Sequence, residues 1–178
     1  MLDPVYGLLI VTSFAILFAS AAAHKWHNLG GFDQVFQAYG LLPHAPSLRI
    51  SWSVPLVESA VALGLFSGST RSYAAALGIV LLLSYAGAIA LNLWRGRRDI
   101  ACGCGGPDRR PIAAWMVWRN LLLALLLAGA LCSWRTRALT LIDYFTIGFG
   151  VVSIVVIYLC LDRLGQIARQ AQTLRELS

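Results

Sequence analysis

Val5–Ala23 runs for nineteen residues without one charged side chain. In an α-helix each residue advances about 1.5 Å, so about 20 such residues match a hydrocarbon layer roughly 30 Å thick. A soluble helix needs one apolar stripe and keeps a polar one for water, and this stretch has no polar stripe to offer. The pattern recurs at Ile50–Gly68, Tyr73–Trp94, Ile112–Trp134 and Leu139–Leu161. Pro55 and Glu58 interrupt the second run, Arg119 and Asn120 the fourth, and Asp143 lies near the start of the fifth. Composition agrees: of 178 residues 58% are hydrophobic and 12% charged, where soluble domains carry about 25% charged residues. The expected fold is all-α. It is a polytopic membrane bundle with four to five transmembrane helices, one domain over residues 1–178, in the inner (cytoplasmic) membrane of a cell.

A cleaved signal peptide needs a basic stretch ahead of its apolar core, and no lysine or arginine precedes Lys25. The first run therefore reads as a retained span. Five crossings sort the loop bases unequally. Lys25, Arg49, Arg95, Arg97, Arg98, Arg109, Arg110, Arg163, Arg169 and Arg175 fall on one face, against Arg71, Arg135 and Arg137 on the other. The positive-inside rule makes the richer face cytoplasmic. The net charge of +6 thus reads as topology, with the lipid bilayer as partner and no nucleic acid. Two stretches on that face repeat apolar residues at helical spacing: Phe32, Val35, Phe36 and Tyr39, then Leu164, Ile167, Ala171 and Leu174. Both suit helices lying in the interface, the first at about residues 32–39.

The stretch richest in chemistry is Ile100-Ala101-Cys102-Gly103-Cys104-Gly105-Gly106-Pro107. Two thiols one glycine apart close a disulfide only with unusual backbone angles, which Gly103 permits. A strained ring is easily reduced, which suits an exchanging pair better than a staple. Arg97, Arg98, Arg109 and Arg110 flank the loop and favour thiolate, partly opposed by Asp99 and Asp108. Two other readings stay open: small residues filling a tight glycine turn, and soft-metal ligation by the thiols with His24, His27 and His44. The redox pair leads, with Cys102 and Cys104 as the reacting residues of a membrane thiol–disulfide oxidoreductase and no resident metal. Cys132 and Cys160 read as buried small hydrophobes.

Glu58 lies about 12 Å and Arg119 about 10 Å along their spans from the Cys-loop face. Opposite charges at matching depth are expected to pair, since each alone is costly in hydrocarbon. With Asn92 and Asn120 they form a polar pocket beneath the loop. No nucleotide-binding loop or hydrolase signature accompanies it.

These residues carry a family resemblance. His24-Lys25, Tyr39-Gly40-Leu41-Leu42-Pro43, Pro55, Glu58, Tyr85-Ala86, Asn92-Leu93-Trp94-Arg95-Gly96-Arg97, Cys102-Gly103-Cys104-Gly105 and Trp118-Arg119-Asn120 together resemble the MauE family of methylamine-utilisation proteins. That family belongs to a broader DoxX-like group, and the resemblance covers about the first 130 residues. Where the family often has an aromatic residue after Cys-Gly-Cys, this chain has Gly105-Gly106. The resemblance implies a role in processing, export or disulfide formation of the methylamine dehydrogenase β (small) subunit. It also implies a thioredoxin-like, MauD-like partner; a membrane dithiol could exchange disulfides with it and pass electrons to or from a quinone. The enzyme it implies is periplasmic, whereas the arginines place the loop on the cytoplasmic face. A re-entrant second span, an electron relay across the membrane, or an exception to the charge rule would reconcile the two.

Overall fold

A computed structural model describes residues 3–40, 47–103, 111–132 and 137–176, the side chains at 47–50, 159 and from 161 onward excepted. The helices are α1 (Pro4–His27), α2 (Leu29–Ala38), α3 (Ser47–Phe66), α4 (Arg71–Trp94), α5 (Ala114–Ala128) and α6 (Leu141–Glu176). A 3₁₀ turn, Gly129–Leu131, extends α5. Among the described residues four helical segments are long and apolar enough to cross a membrane: Pro4–His27, Arg71–Trp94, Ala114–Leu131 and Leu141–Tyr158. Ser51–Phe66 is a shorter apolar helix. The chain is a multi-pass helical membrane protein.

Helices α1, α3, α4 and α5 close a ring in which each packs on the next and α5 returns to α1. The chain reverses at each step, so this is an up-down-up-down bundle. One buried stripe per helix supplies its core. Val11, Phe14, Ala15, Phe18 and Ala22 come from α1, Val61, Ala62 and Leu65 from α3, Ala74, Ala75 and Leu82 from α4, and Ala124 and Leu127 from α5. Small residues let the helices approach closely, as expected where lipid removes the hydrophobic drive for association. At Gly78 a Cβ would stand 2.9 Å from Leu127 Cδ2 and 3.2 Å from the Phe18 ring. The outer faces expose Leu63, Val80, Leu125 and Phe149, an apolar surface that suits lipid and not water.

Helix α6 stands outside the ring against α1, where a Cβ on Gly150 would meet Leu9 Cδ1 at 2.6 Å. The tail, expected as a separate interfacial helix, instead continues α6 unbroken to Glu176. No proline intervenes to stop it.

The bundle has two distinct ends. At one, Arg137 binds the carboxylates of Asp3 (Nε–Oδ2 3.0 Å) and Asp143 (Nη1–Oδ2 2.8 Å). Asp3 also caps α1, accepting from Val5 N at 3.0 Å. The guanidinium bonds hold the Asp3 carboxyl below its ordinary range. At the other end α2 and the chain after α4 meet. Because α3 runs antiparallel to α1 and hands the chain to α4, the second apolar segment traverses the bundle instead of returning to the end it left.

Candidate functional site

The Cys-loop end is assembled from three short pieces. A single residue separates α2 from α1: its N-cap Asn28, whose side chain accepts from Gly31 N at 3.0 Å. This break turns α2 across the bundle end. After α4, Gly96 (φ 74°) reverses the chain. Ala101 and Pro111 then form an isolated antiparallel bridge, with Ile112 N donating to Ile100 O at 2.9 Å. That bridge is the neck of the loop that holds the cysteines.

Cys102 stands just beyond the neck and is disulfide-bonded. Cys104 and the remainder of the loop, with Asp108, Arg109 and Arg110, lie outside the described residues. Gly103 has φ 66°, and a Cβ there would lie 2.9 Å from Val35 Cγ1 and 3.7 Å from the Phe32 ring. The loop therefore rests directly on α2. Tyr39, at the end of α2, donates its hydroxyl to the Cys102 carbonyl at 3.1 Å. Burial raises the Tyr39 hydroxyl to about 12, so it remains a donor at any physiological pH. Tyr39, Ile89, Ile112 and Met116 form a small apolar core on which Val35, Ile100 and Cys102 pack. Arg97 reaches to within 3.1 Å of where a Cβ on Gly40 would stand, which sets a cation at the C-terminal end of α2.

Beneath α2 lies a buried ion pair. Lys25 Nζ donates to both Glu58 oxygens, at 2.7 and 2.8 Å, and Tyr85 donates its hydroxyl to Glu58 Oε1 at 2.7 Å. Lys25 is 3% and Glu58 1% exposed. The ammonium also faces the rings of Phe32 and Tyr85, at 5.4 and 5.7 Å from their centroids. Phe32 thus lies close to both the ion pair and the thiol loop, meeting Lys25 with its ring and Gly103 with Cε2.

The expected Glu58–Arg119 pair is not formed. Helices α3 and α5 stand diagonally across the ring, with no close approach of their backbones among the described residues. Matching depth fixes position along the helix axes and leaves the angle around them open. Arg119 instead stacks on Trp115, 5.1 Å from the ring centroid, and its buried Nε has no hydrogen-bond partner among the described residues. Asn92 and Asn120 are buried, at 0% and 3% exposed. Each uses its amide to back-bond within its own helix, to Ala88 O at 3.0 Å and Met116 O at 2.9 Å. The Asn92 Oδ1 lacks a partner among the described residues.

Three further expectations change. Lys25 is no loop base, because α1 extends through His27 and draws it inward. A signal was present: Lys25 continues the buried series Val11, Phe18 and Ala22 at helical spacing. Cys132 and Cys160 are free thiols and exposed, where burial was expected. Asp33, which falls between the apolar positions of the expected interfacial helix, is buried where a helix lying in the interface would expose it, and accepts from Gln37 Nε2 at 2.7 Å. Among the described residues no three His, Cys, Asp or Glu side chains converge as metal ligands. His24 and His27 are exposed, and His44 lies outside the described residues.

A multi-pass helical bundle whose one end clamps a disulfide-bearing loop over a buried ion pair defines the class: a small polytopic membrane protein with a thiol loop. Residues 4–133 match the family model of methylamine utilisation protein MauE, and the chain belongs to that family. It is 37% identical over 113 residues to "Methylamine utilization protein MauE" of Paracoccus denitrificans, covering 63% of this chain and 61% of that protein. Its Paracoccus versutus counterpart is 34% identical over 129 residues, with 72% and 69% covered. That of Methylophilus methylotrophus is 33% identical over 128 residues, with 71% and 66% covered. No solved structure matches the chain.

Proposed function

We propose that the protein exchanges disulfides in the inner membrane through its Cys loop, in maturation of the methylamine dehydrogenase β subunit. The observation that carries this reading is the disulfide at Cys102, in a loop gripped by the Ala101–Pro111 neck and the Tyr39 hydroxyl. A disulfide beside a glycine at positive φ, at one end of a bundle, is accessible to a partner's thiolate in a way a core staple is not. Family membership supplies the methylamine context.

In the exchange, a thiolate of a thioredoxin-like partner or of the β subunit attacks one sulfur of the Cys102 disulfide. Cys104 is taken as the second sulfur. The sulfur–sulfur bond breaks, a mixed disulfide forms, and the displaced sulfur leaves as thiolate. A second partner thiolate then attacks the mixed disulfide. The partner ends as a disulfide and the loop as a dithiol; two electrons have passed to the loop, and its sulfurs take up the two protons the partner thiols lost.

Cys102→Ser and Cys104→Ser, each introduced into the producing cell, should leave the β subunit short of its disulfides and methylamine dehydrogenase inactive. The remaining cysteine of each variant should trap a mixed disulfide that a reductant releases. Normal maturation in both variants would overturn the reading and leave a scaffold that works without its thiols.

A further inference from the structure

Helix α2 has no part in the exchange as written, yet Phe32, Val35 and Tyr39 meet the loop at its described residues Cys102 and Gly103. Val35 and Phe32 fill the space under Gly103, which leaves no room for a side chain there. Tyr39 is 7% exposed and spends its hydroxyl on the Cys102 carbonyl. That acceptor belongs to the peptide that carries the reacting sulfur, so the bond fixes the loop's backbone where the disulfide closes. Burial keeps the phenol protonated, and the bond needs no partner charge.

We propose that Tyr39 is a positioning residue for the thiol pair: its bond to Cys102 holds the loop docked on α2 in the disulfide form and so sets the disulfide–dithiol equilibrium. Reduction separates the two sulfurs and frees the loop backbone, after which the Cys102 carbonyl no longer depends on the tyrosine. The bond therefore favours the disulfide over the dithiol. This rests on the exchange reading above, and it adds which residue tunes the loop and in which direction.

The test uses the full chain with Cys132→Ser and Cys160→Ser, purified in lipid nanodiscs, so that only loop thiols report. The protein is equilibrated in mixtures of reduced and oxidised dithiothreitol, quenched with acid, and labelled with a mass-tagging maleimide. Tyr39→Phe keeps the ring and removes the donor. A net hydrogen bond changes an equilibrium by roughly five-fold, so the midpoint should fall at a roughly five-fold lower ratio of reduced to oxidised dithiothreitol. That corresponds to about 20 mV more oxidising. Tyr73→Phe, at an exposed tyrosine on the first turn of α4, should titrate with the parent.

Tyr39→Phe titrating with the parent overturns the proposal and leaves the exchange reading intact. A parent disulfide that never reduces across the series overturns both. Should Tyr39→Phe fail to accumulate, Val35→Ala replaces it, since it opens the contact under Gly103. Its midpoint should move the same way, and coincidence with the parent would again sink the idea.

Discussion

Lys25 and Glu58 form a two-pronged ion pair, at 2.7 and 2.8 Å, in which both side chains are withdrawn from the surface. It joins the end of α1 to the middle of α3, and Tyr85 ties in α4 through the same carboxylate. Three of the four ring helices therefore meet at one charged point beneath the thiol loop. Burying two charges is costly. Their mutual attraction, the Tyr85 hydroxyl and the two ring faces offset that cost only while all are present.

Removal of one partner should be worse than removal of both. Lys25→Met or Glu58→Met alone strands a buried charge, with an expected loss of about 3–5 kcal/mol, whereas the double Met variant should lie close to the parent. Thermal unfolding in nanodiscs would measure this, and equal losses for single and double variants would count against the pairing. Arg119→Met combined with Glu58→Met should give simple additivity, because Glu58 binds Lys25 and Tyr85 while Arg119 stacks on Trp115.

Gly103 is where the backbone of the thiol loop tolerates no side chain. Gly103→Ala meets a left-handed backbone costing about 1–2 kcal/mol and a 2.9 Å approach to Val35 Cγ1. The loop should lift from α2, and dithiothreitol should reduce the Cys102 disulfide faster than in the parent. Adding Val35→Ala should recover the steric part and leave the backbone part. Unchanged reduction rates in Gly103→Ala would show that docking on α2 does not guard the disulfide.

At the opposite end the Asp3–Arg137 pair predicts an acid-dependent loss of stability. The Arg137 bonds, then the Val5 N–H, hold the Asp3 carboxyl below its ordinary 3.8. A lowered carboxyl contributes stability that is complete above its unfolded value and is lost as pH falls through the folded one. The melting temperature should therefore drop below pH 3.8 more in the parent than in Asp3→Asn. Molar salt should shrink that difference, because the pair is exposed. Parallel pH profiles for the two proteins would refute the assignment.

Much of this was legible in one dimension. Apolar run length marks the helices because a helix's rise against the hydrocarbon thickness is simple arithmetic, and α4 coincides with its run almost residue for residue. The Cys-Gly-Cys stretch announced itself by its residue types, and the positive φ of Gly103 is what that glycine is for. Lys25 was misjudged because apolar run length ends at Ala23 while the helix ends at His27. Hydrogen bonding carries a helix past its last apolar residue whenever nothing in the sequence stops it. Tyr39 was recognisable only as an apolar position of the expected interfacial helix and as part of the family motif, since nothing local says that its hydroxyl meets a carbonyl more than sixty residues away.

By itself the sequence determined that this chain is helical, polytopic and built for lipid, and that two thiols share a tight glycine loop. Those properties depend on local composition and periodicity, which neighbouring residues alone dictate. Tertiary structure decided which charges meet and what holds the loop. The order of helices around the ring puts α3 beside α1 and across from α5, so Glu58 finds Lys25 and Arg119 turns to Trp115. Depth along a helix can be counted from a sequence, but the angle at which two helices face one another is set only when all of them pack.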